Sequence, residues 1–258
     1  MKKRGGGAGR LAGIGMGLVL AAATTLAAGS KSPSVTAGIL FDHLSRTVTW
    51  EGDADTSRVT ANLVSARAGL ALGRGLTLGV TAGLSLSDFD APVFRDLPIS
   101  LELGSGALKG FVLGAELEGV LFDFGDFEIK AAGRFVSSFG LTRTWPLEDF
   151  AVPGEAKGKA TWTEASAGPR LAYRISEDFV PYLEVAARWF RVDLQMDETL
   201  EDLHGTETKR VPGGLSFSAS LGGDIKLTER LAIKASAGIV PFDGGLDVLA
   251  SAGLVFAF

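Results

Sequence analysis

The segment Asp247-Val248-Leu249-Ala250-Ser251-Ala252-Gly253-Leu254-Val255-Phe256-Ala257-Phe258 sorts into two faces when read with a period of two. Val248, Ala250, Ala252, Leu254, Phe256 and Phe258 form one wholly apolar face, and Asp247, Leu249, Ser251, Gly253, Val255 and Ala257 form the other. Successive side chains of a strand point to opposite sides, so this is the pattern of a β-strand with one greasy face.

The same alternation recurs upstream. Leu76, Leu78, Val80, Ala82, Leu84 and Leu86 oppose Thr77, Gly79, Thr81, Gly83 and Ser85; Phe111, Leu113, Ala115, Leu117 and Leu121 oppose Gly110, Gly114, Glu116 and Glu118. Phe127, Ile129, Ala131, Phe135, Phe139 and Leu141 oppose Glu128, Lys130, Arg134, Ser138 and Thr142. Leu171, Tyr173 and Ile175 oppose Arg170 and Arg174; Leu183, Val185 and Trp189 oppose Glu184 and Arg188; Phe217, Leu221, Ile225 and Leu227 oppose Ser218, Ser220, Asp224 and Lys226. The pattern breaks near Asp42, after Val35, Ala37, Ile39 and Phe41.

Such faces fit a soluble sheet, which buries its apolar side, or a transmembrane barrel, which turns that side to lipid. Three features favour the barrel. The polar faces carry small Gly, Ser and Thr residues, the strands reach the roughly 9 to 11 residues a tilted membrane crossing needs, and short connections alternate with long ones. Tight turns are predicted at Gly73-Arg74-Gly75, Gly125-Asp126, Glu177-Asp178 and Glu229-Arg230, and longer polar loops at 87–107, 145–160 and 196–214. About ten strands fit between Ser34 and Phe258, with eight or twelve as alternatives.

Composition excludes other classes. The 258 residues include no cysteine and two histidines, His43 and His204, which removes disulfides, thiolate metal sites and cysteine nucleophiles and leaves little imidazole chemistry. Residues 1–29 read as an export signal: Lys2, Lys3, Arg4 and Arg10, an apolar stretch from Leu11 to Ala28, then Ala27-Ala28-Gly29 as a cleavage site. The G-x-G-x-x-A spelling at Gly7, Gly9 and Ala12 lies inside this signal with no strand before it, so it is no dinucleotide fingerprint. Losing those four basic residues makes a mature chain more acidic than the formal −5 of the whole, which argues against nucleic acid. Residues 30–258 are expected to be one barrel domain.

The ending Ser251-x-Gly253-x-x-Phe256-x-Phe258 resembles the C-terminal assembly signal of small Gram-negative outer-membrane β-barrel proteins, the OmpA/OmpX-type class. That resemblance implies an all-β fold, a transmembrane antiparallel up-and-down barrel in the bacterial outer membrane. It also implies recognition by the barrel-assembly machinery and contact with outer-membrane lipids and lipopolysaccharide. Any protein or ligand partner at the external loops is not specified by the sequence.

With polar faces inward, the lumen receives Arg67, Glu116, Glu118, Glu128, Lys130, Arg134, Glu164, Arg170, Arg174, Glu184, Arg188, Asp224, Lys226 and Lys234. A barrel of this size is just wide enough to be filled by side chains. The leading expectation is therefore a non-enzymatic structural or surface-interacting protein with an ion-paired lumen; the alternative is a narrow gated channel for small ions or solutes, porin-like in function. A second alternative is a lipid hydrolase. His43 and Ser45 share a strand face, and a hairpin closing near Asp53 brings Asn62 beside them, giving a base, a nucleophile and an orienting amide. This trio resembles the site of outer-membrane phospholipase A, although Asp42-His43-Leu44-Ser45-Arg46 does not otherwise follow that family's pattern.

No cofactor or metal site is expected. The acidic groups Glu51, Asp53 and Asp55; Asp88 and Asp90; and Asp197, Glu198, Glu201 and Asp202 lack EF-hand spacing and read as a solvated anionic surface, as His204 reads as a solvated loop residue. Trp50, Trp145, Trp162 and Trp189 are expected at the membrane interface, where indoles anchor barrels.

Overall fold

A computed structural model describes residues 34–53, 56–72, 75–90, 92–103, 106–147, 153–242 and 244–258. The proposed export signal lies outside the described residues, as do Gly73 and Arg74. The strands are β1 (Ser34–Thr49), β2 (Thr56–Leu72), β3 (Leu76–Phe89), β4 (Val93–Phe94), β5 (Leu101–Glu102), β6 (Leu108–Phe124), β7 (Phe127–Gly140), β8 (Arg143–Pro146), β9 (Gly154–Tyr173), β10 (Phe179–Leu200), β11 (Leu203–Lys226), β12 (Leu231–Phe242) and β13 (Gly245–Ala257).

Ten of these pair in a closed antiparallel ring: β1, β2, β3, β6, β7, β9, β10, β11, β12 and β13, with β13 returning to β1 from Thr36↔Ala257 to Leu44↔Leu249. Closure removes the edges an open sheet would expose. Both described chain ends lie at one end of the barrel, together with the turns at Gly125-Asp126, Glu177-Asp178 and Glu229-Arg230. The turn at Gly125-Asp126 is made possible by Gly125, whose φ of 82° a Cβ would disfavour.

At the opposite end the strands run past the ring. The predicted loop 196–214 is instead a continuous hairpin: β10 runs to Leu200, turns through Glu201 and Asp202, and β11 pairs back from Leu203. Its register shifts once, between Phe190 and Val192, which lets the two strands change twist there. The described part of the predicted loop 145–160 is likewise largely ladder, because β8 pairs with the start of β9, from Arg143↔Gly158 to Pro146↔Glu155. In the predicted loop 87–107, β3 reaches Phe89 and residues 92–103 form a strap around the small β4–β5 pair. These segments carry most of their polar residues on the outward side, with Glu198, Glu207 and Lys209 as inward exceptions.

The reason lies in parity. On β10, Leu183, Val185 and Trp189 face out, and beyond them the apolar residues are Phe190, Val192, Leu194 and Met196, which face in and are at most 2% exposed. β1 makes the same switch, from outward Ile39 and Phe41 to inward Leu44, Val48 and Trp50. Each strand thus leaves a surround in which its outer face is greasy and enters one in which its inner face is.

Candidate functional site

The barrel exterior carries a belt of exposed large apolar side chains that includes Ile39, Val64, Val80, Leu113, Phe135, Leu183, Phe217, Leu221, Val248 and Phe256. The interior at the same level carries charges. Water penalises such a belt and rewards the reverse arrangement, whereas a bilayer rewards this one. This is a transmembrane β-barrel of the bacterial outer membrane. By the rule for bacterial barrels, the end that carries both described chain ends is the periplasmic one and the end with the extended hairpins is the external one.

No family model matches the chain, and no curated protein sequence matches it. Among solved structures, it is similar to the translocator domain of the autotransporter NalP from Neisseria meningitidis (13% identity, 96% of each chain, TM-score 0.48). It is also similar to the outer membrane protease OmpT from Escherichia coli (12% identity, 88% of this chain and 96% of that one, TM-score 0.46). The third is Ail, the attachment invasion locus protein of Yersinia pestis (12% identity, 88% and 97%, TM-score 0.35). These likenesses carry no argument about activity.

The interior of the barrel has two storeys. In the periplasmic storey, a chain of ion pairs runs from Arg174–Glu128 (2.8 Å) through Lys130 (3.2 Å from both Glu128 and Glu118) to Arg170, which holds Glu118 and Glu184. A second group joins Arg67 to Glu116 (2.8 Å) and Arg134 to Asp42, the latter by two bonds of 3.0 and 2.5 Å. Arg188 pairs with Glu164 and donates to Ser218 Oγ (2.8 Å); Lys234 pairs with Asp224 (2.9 Å). Asp42 is a partner the sequence reading missed, because the period breaks at that residue. Lys226 is exposed at the periplasmic rim and makes no ion pair among the described residues, and Arg174 lies just beyond β9 with nearly half its side chain exposed.

Between these groups lies a cavity of about 230 Å³, lined by Asp42, Arg67, Glu116, Arg134, Arg170 and Glu184 among others. Each carboxylate on its wall already holds a cation. Bonded carboxylates of this kind are poor bases and metal ligands, and no group of His, Asp and Glu that could hold a metal is found among the described residues.

The external storey is apolar. Trp50, Val59, Leu63, Phe89, Leu108, Val136, Trp162, Phe190, Val192, Leu194 and Met196 form one buried cluster, and the strap adds Phe94, Leu97 and Leu103 as its cap. Glu207 Oε2 accepts from Asp96 N (2.7 Å) and Glu198 Oε2 from Ile99 N (3.1 Å), fastening the strap to the inner face of the β10–β11 hairpin. This cluster corrects the expected placing of the tryptophans. Trp50 and Trp162 are inside, 3% and 1% exposed, Trp145 packs against the cluster's edge, and only Trp189 faces outward at the end of the apolar belt. The signal that could have found the cluster is the parity switch itself.

On the outside of β1, His43 lies directly opposite Asn62 on β2, and His43 Nδ1 is bonded to Asn62 Oδ1 at 2.9 Å. Ser45 shares that face but is in register with Thr60, and no hydrogen bond joins it to His43 among the described residues. His204 stands on the exposed hairpin, 3.2 Å from Thr199 Oγ1. At the C-terminus, Phe256 and Phe258 face outward, while Ser251 and Gly253 face inward, where a Cβ on Gly253 would run into Leu40.

Proposed function

We propose that the protein is a non-enzymatic outer-membrane barrel with a side-chain-filled lumen that works through its external surface. The observation that carries this reading is the apolar cluster across the external storey, closed by Phe94 of the strap. An ion leaving the charged cavity would have to cross a packed hydrocarbon layer, which is costly for any unpaired charge. The surface offered instead is the β10–β11 hairpin, whose outward residues Arg191, Asp193, Arg210 and Thr208 are polar, with Asp193 paired to both arginines. Contact with lipopolysaccharide at this level, and handover to the assembly machinery through Phe256 and Phe258, belong to the same proposal. The test is current through the full chain in planar bilayers. Silence is expected; reproducible ion-selective steps altered by substituting Arg134 or Arg170 would favour the narrow channel.

One observation favours a second reading, a lipid-facing hydrolase. The His43–Asn62 bond fixes the imidazole and, with Nδ1 donating, leaves Nε2 free to take a proton from Ser45 on the same face, just above lipid-facing Phe41. Fatty-acid release from phospholipid in mixed micelles decides it. Turnover abolished by both His43→Ala and Ser45→Ala would establish the reading, and absence of turnover in the parent chain would remove it.

A further inference from the structure

The wall of the barrel is not uniformly laddered. β13 pairs with β1 only as far as Leu44↔Leu249, and β12 pairs with β11 only as far as Ala219↔Ile239. The β12–β13 hairpin nevertheless keeps its own ladder to Phe242↔Gly245. Its tip, Val240 to Phe242 and Gly245 to Val248, therefore hangs between two strands without a backbone ladder to either. Above the tip, β1 and β11 reach each other directly. Glu51 N donates to Arg210 O at 2.7 Å, and Lys209 pairs with Asp53 at 2.7 Å. The result is a framed window with the hairpin tip as its flap.

The flap sits at lipid level, since Ile239, Leu246 and Val248 are exposed on its outer side. Unladdered backbone facing hydrocarbon is expensive, and here it is only partly made good: Asp247 accepts from Thr47 N (2.7 Å) and Thr47 Oγ1 (2.9 Å). Behind the flap lies Arg46, 7% exposed. Its Nη2 donates across the window to Ser216 Oγ at 2.8 Å and its guanidinium lies 5.4 Å from the Phe190 ring centre. Its Nε and Nη1 are buried with no hydrogen-bond partner among the described residues. Buried unpaired donors of this kind mark a missing acceptor.

The geometry points to a lateral binding site for an acyl-ester lipid, entered from the membrane through the flap, with the ester carbonyl accepting from Arg46. The charges set the choice of head. Arg46 and Arg188 face Glu164 and Asp247, the first carboxylate held by Arg188 and the second by Thr47, so the set is already neutral and an uncharged acceptor fits where an anion would unbalance it. With the flap closed, Phe190, Val240 and Leu249 are packed in the apolar cluster, so they wall the chain only when the flap swings outward.

The test is native mass spectrometry of the full chain in alkyl-maltoside micelles, titrated with monoolein and with its ether analogue, which lacks the carbonyl. One saturable monoolein per chain is expected, with the ether weaker by about tenfold, the effect of one lost hydrogen bond. Arg46→Met should bind the two equally. Because the chain has no native cysteine, Thr47→Cys with Leu246→Cys can be bridged by a short bis-methanethiosulfonate linker, which should abolish binding until it is reduced. This second variant leaves Arg46 in place, so it stands even if Arg46→Met does not fold. No saturable adduct, an adduct that survives bridging, or an ester preference unchanged in Arg46→Met would overturn the proposal.

Discussion

Trp162 Nε1 donates to Ser87 Oγ at 2.9 Å inside the barrel, 75 residues apart in sequence and on strands that are not neighbours in the ring. The bond crosses the lumen and satisfies the one polar atom of the largest fully buried side chain. Trp162→Ala should cost about 3–5 kcal/mol through the cavity it leaves. Trp162→Phe keeps most of the packing and should cost less, with Ser87 still able to turn to other partners. Urea-unfolding midpoints in lipid vesicles, read by the gel-mobility shift of folded barrels, check both.

Breaking the Arg134–Asp42 pair should be more damaging than removing it. Asp42 is 5% exposed and accepts two bonds from the guanidinium. Asp42→Ala alone leaves the partly buried Arg134 guanidinium short of its partner in the lumen and should cost about 1.5–3 kcal/mol, the worth of a hydrogen bond to a charged group. The double variant Asp42→Ala with Arg134→Met should recover part of that loss. A double-mutant cycle of unfolding free energies measures the difference; strict additivity would contradict the pairing.

Leu221 is 67% exposed in the middle of the apolar belt. Leu221→Arg should lose about 2–4 kcal/mol in a bilayer. Thr208→Arg, outward on the same strand but above the belt, should be within about 0.5 kcal/mol of the parent.

Glu201 turns the β10–β11 hairpin with φ of 52°, a conformation that costs a side chain with a Cβ. Glu201→Gly is expected to stabilise the hairpin by up to about 1 kcal/mol. Slower amide exchange at Thr199 and Leu203 would show it.

The strand count, the ring and the outward belt were legible because lipid imposes one rule on every crossing strand. The external storey was not, because Phe190, Val192, Leu194 and Met196 fall on the face that Arg188 and Glu184 mark as polar one turn of the pattern earlier. A reading that holds parity fixed ends the strand there and calls the rest a loop. Parity should instead be allowed to invert where a strand passes from lipid to water. Asp42, Arg46 and Asp247 were missed for a related reason: each is an inward charge at a strand position where the period changes, and its partner comes from a distant strand. The His43–Asn62 contact was legible because a single hairpin register fixes it.

The most direct test of this account is a cysteine scan along β10 in the cysteine-free chain, reconstituted in vesicles and exposed to a water-soluble maleimide. Leu183 and Val185 should be shielded by lipid, Asp193, Gln195 and Asp197 should label, and Val192, Leu194 and Met196 should resist because they are core. Labelling at Val192 and Leu194 with protection at Asp193 and Gln195 would mean an open lumen and a strand still in the membrane, and would contradict the two-storey barrel.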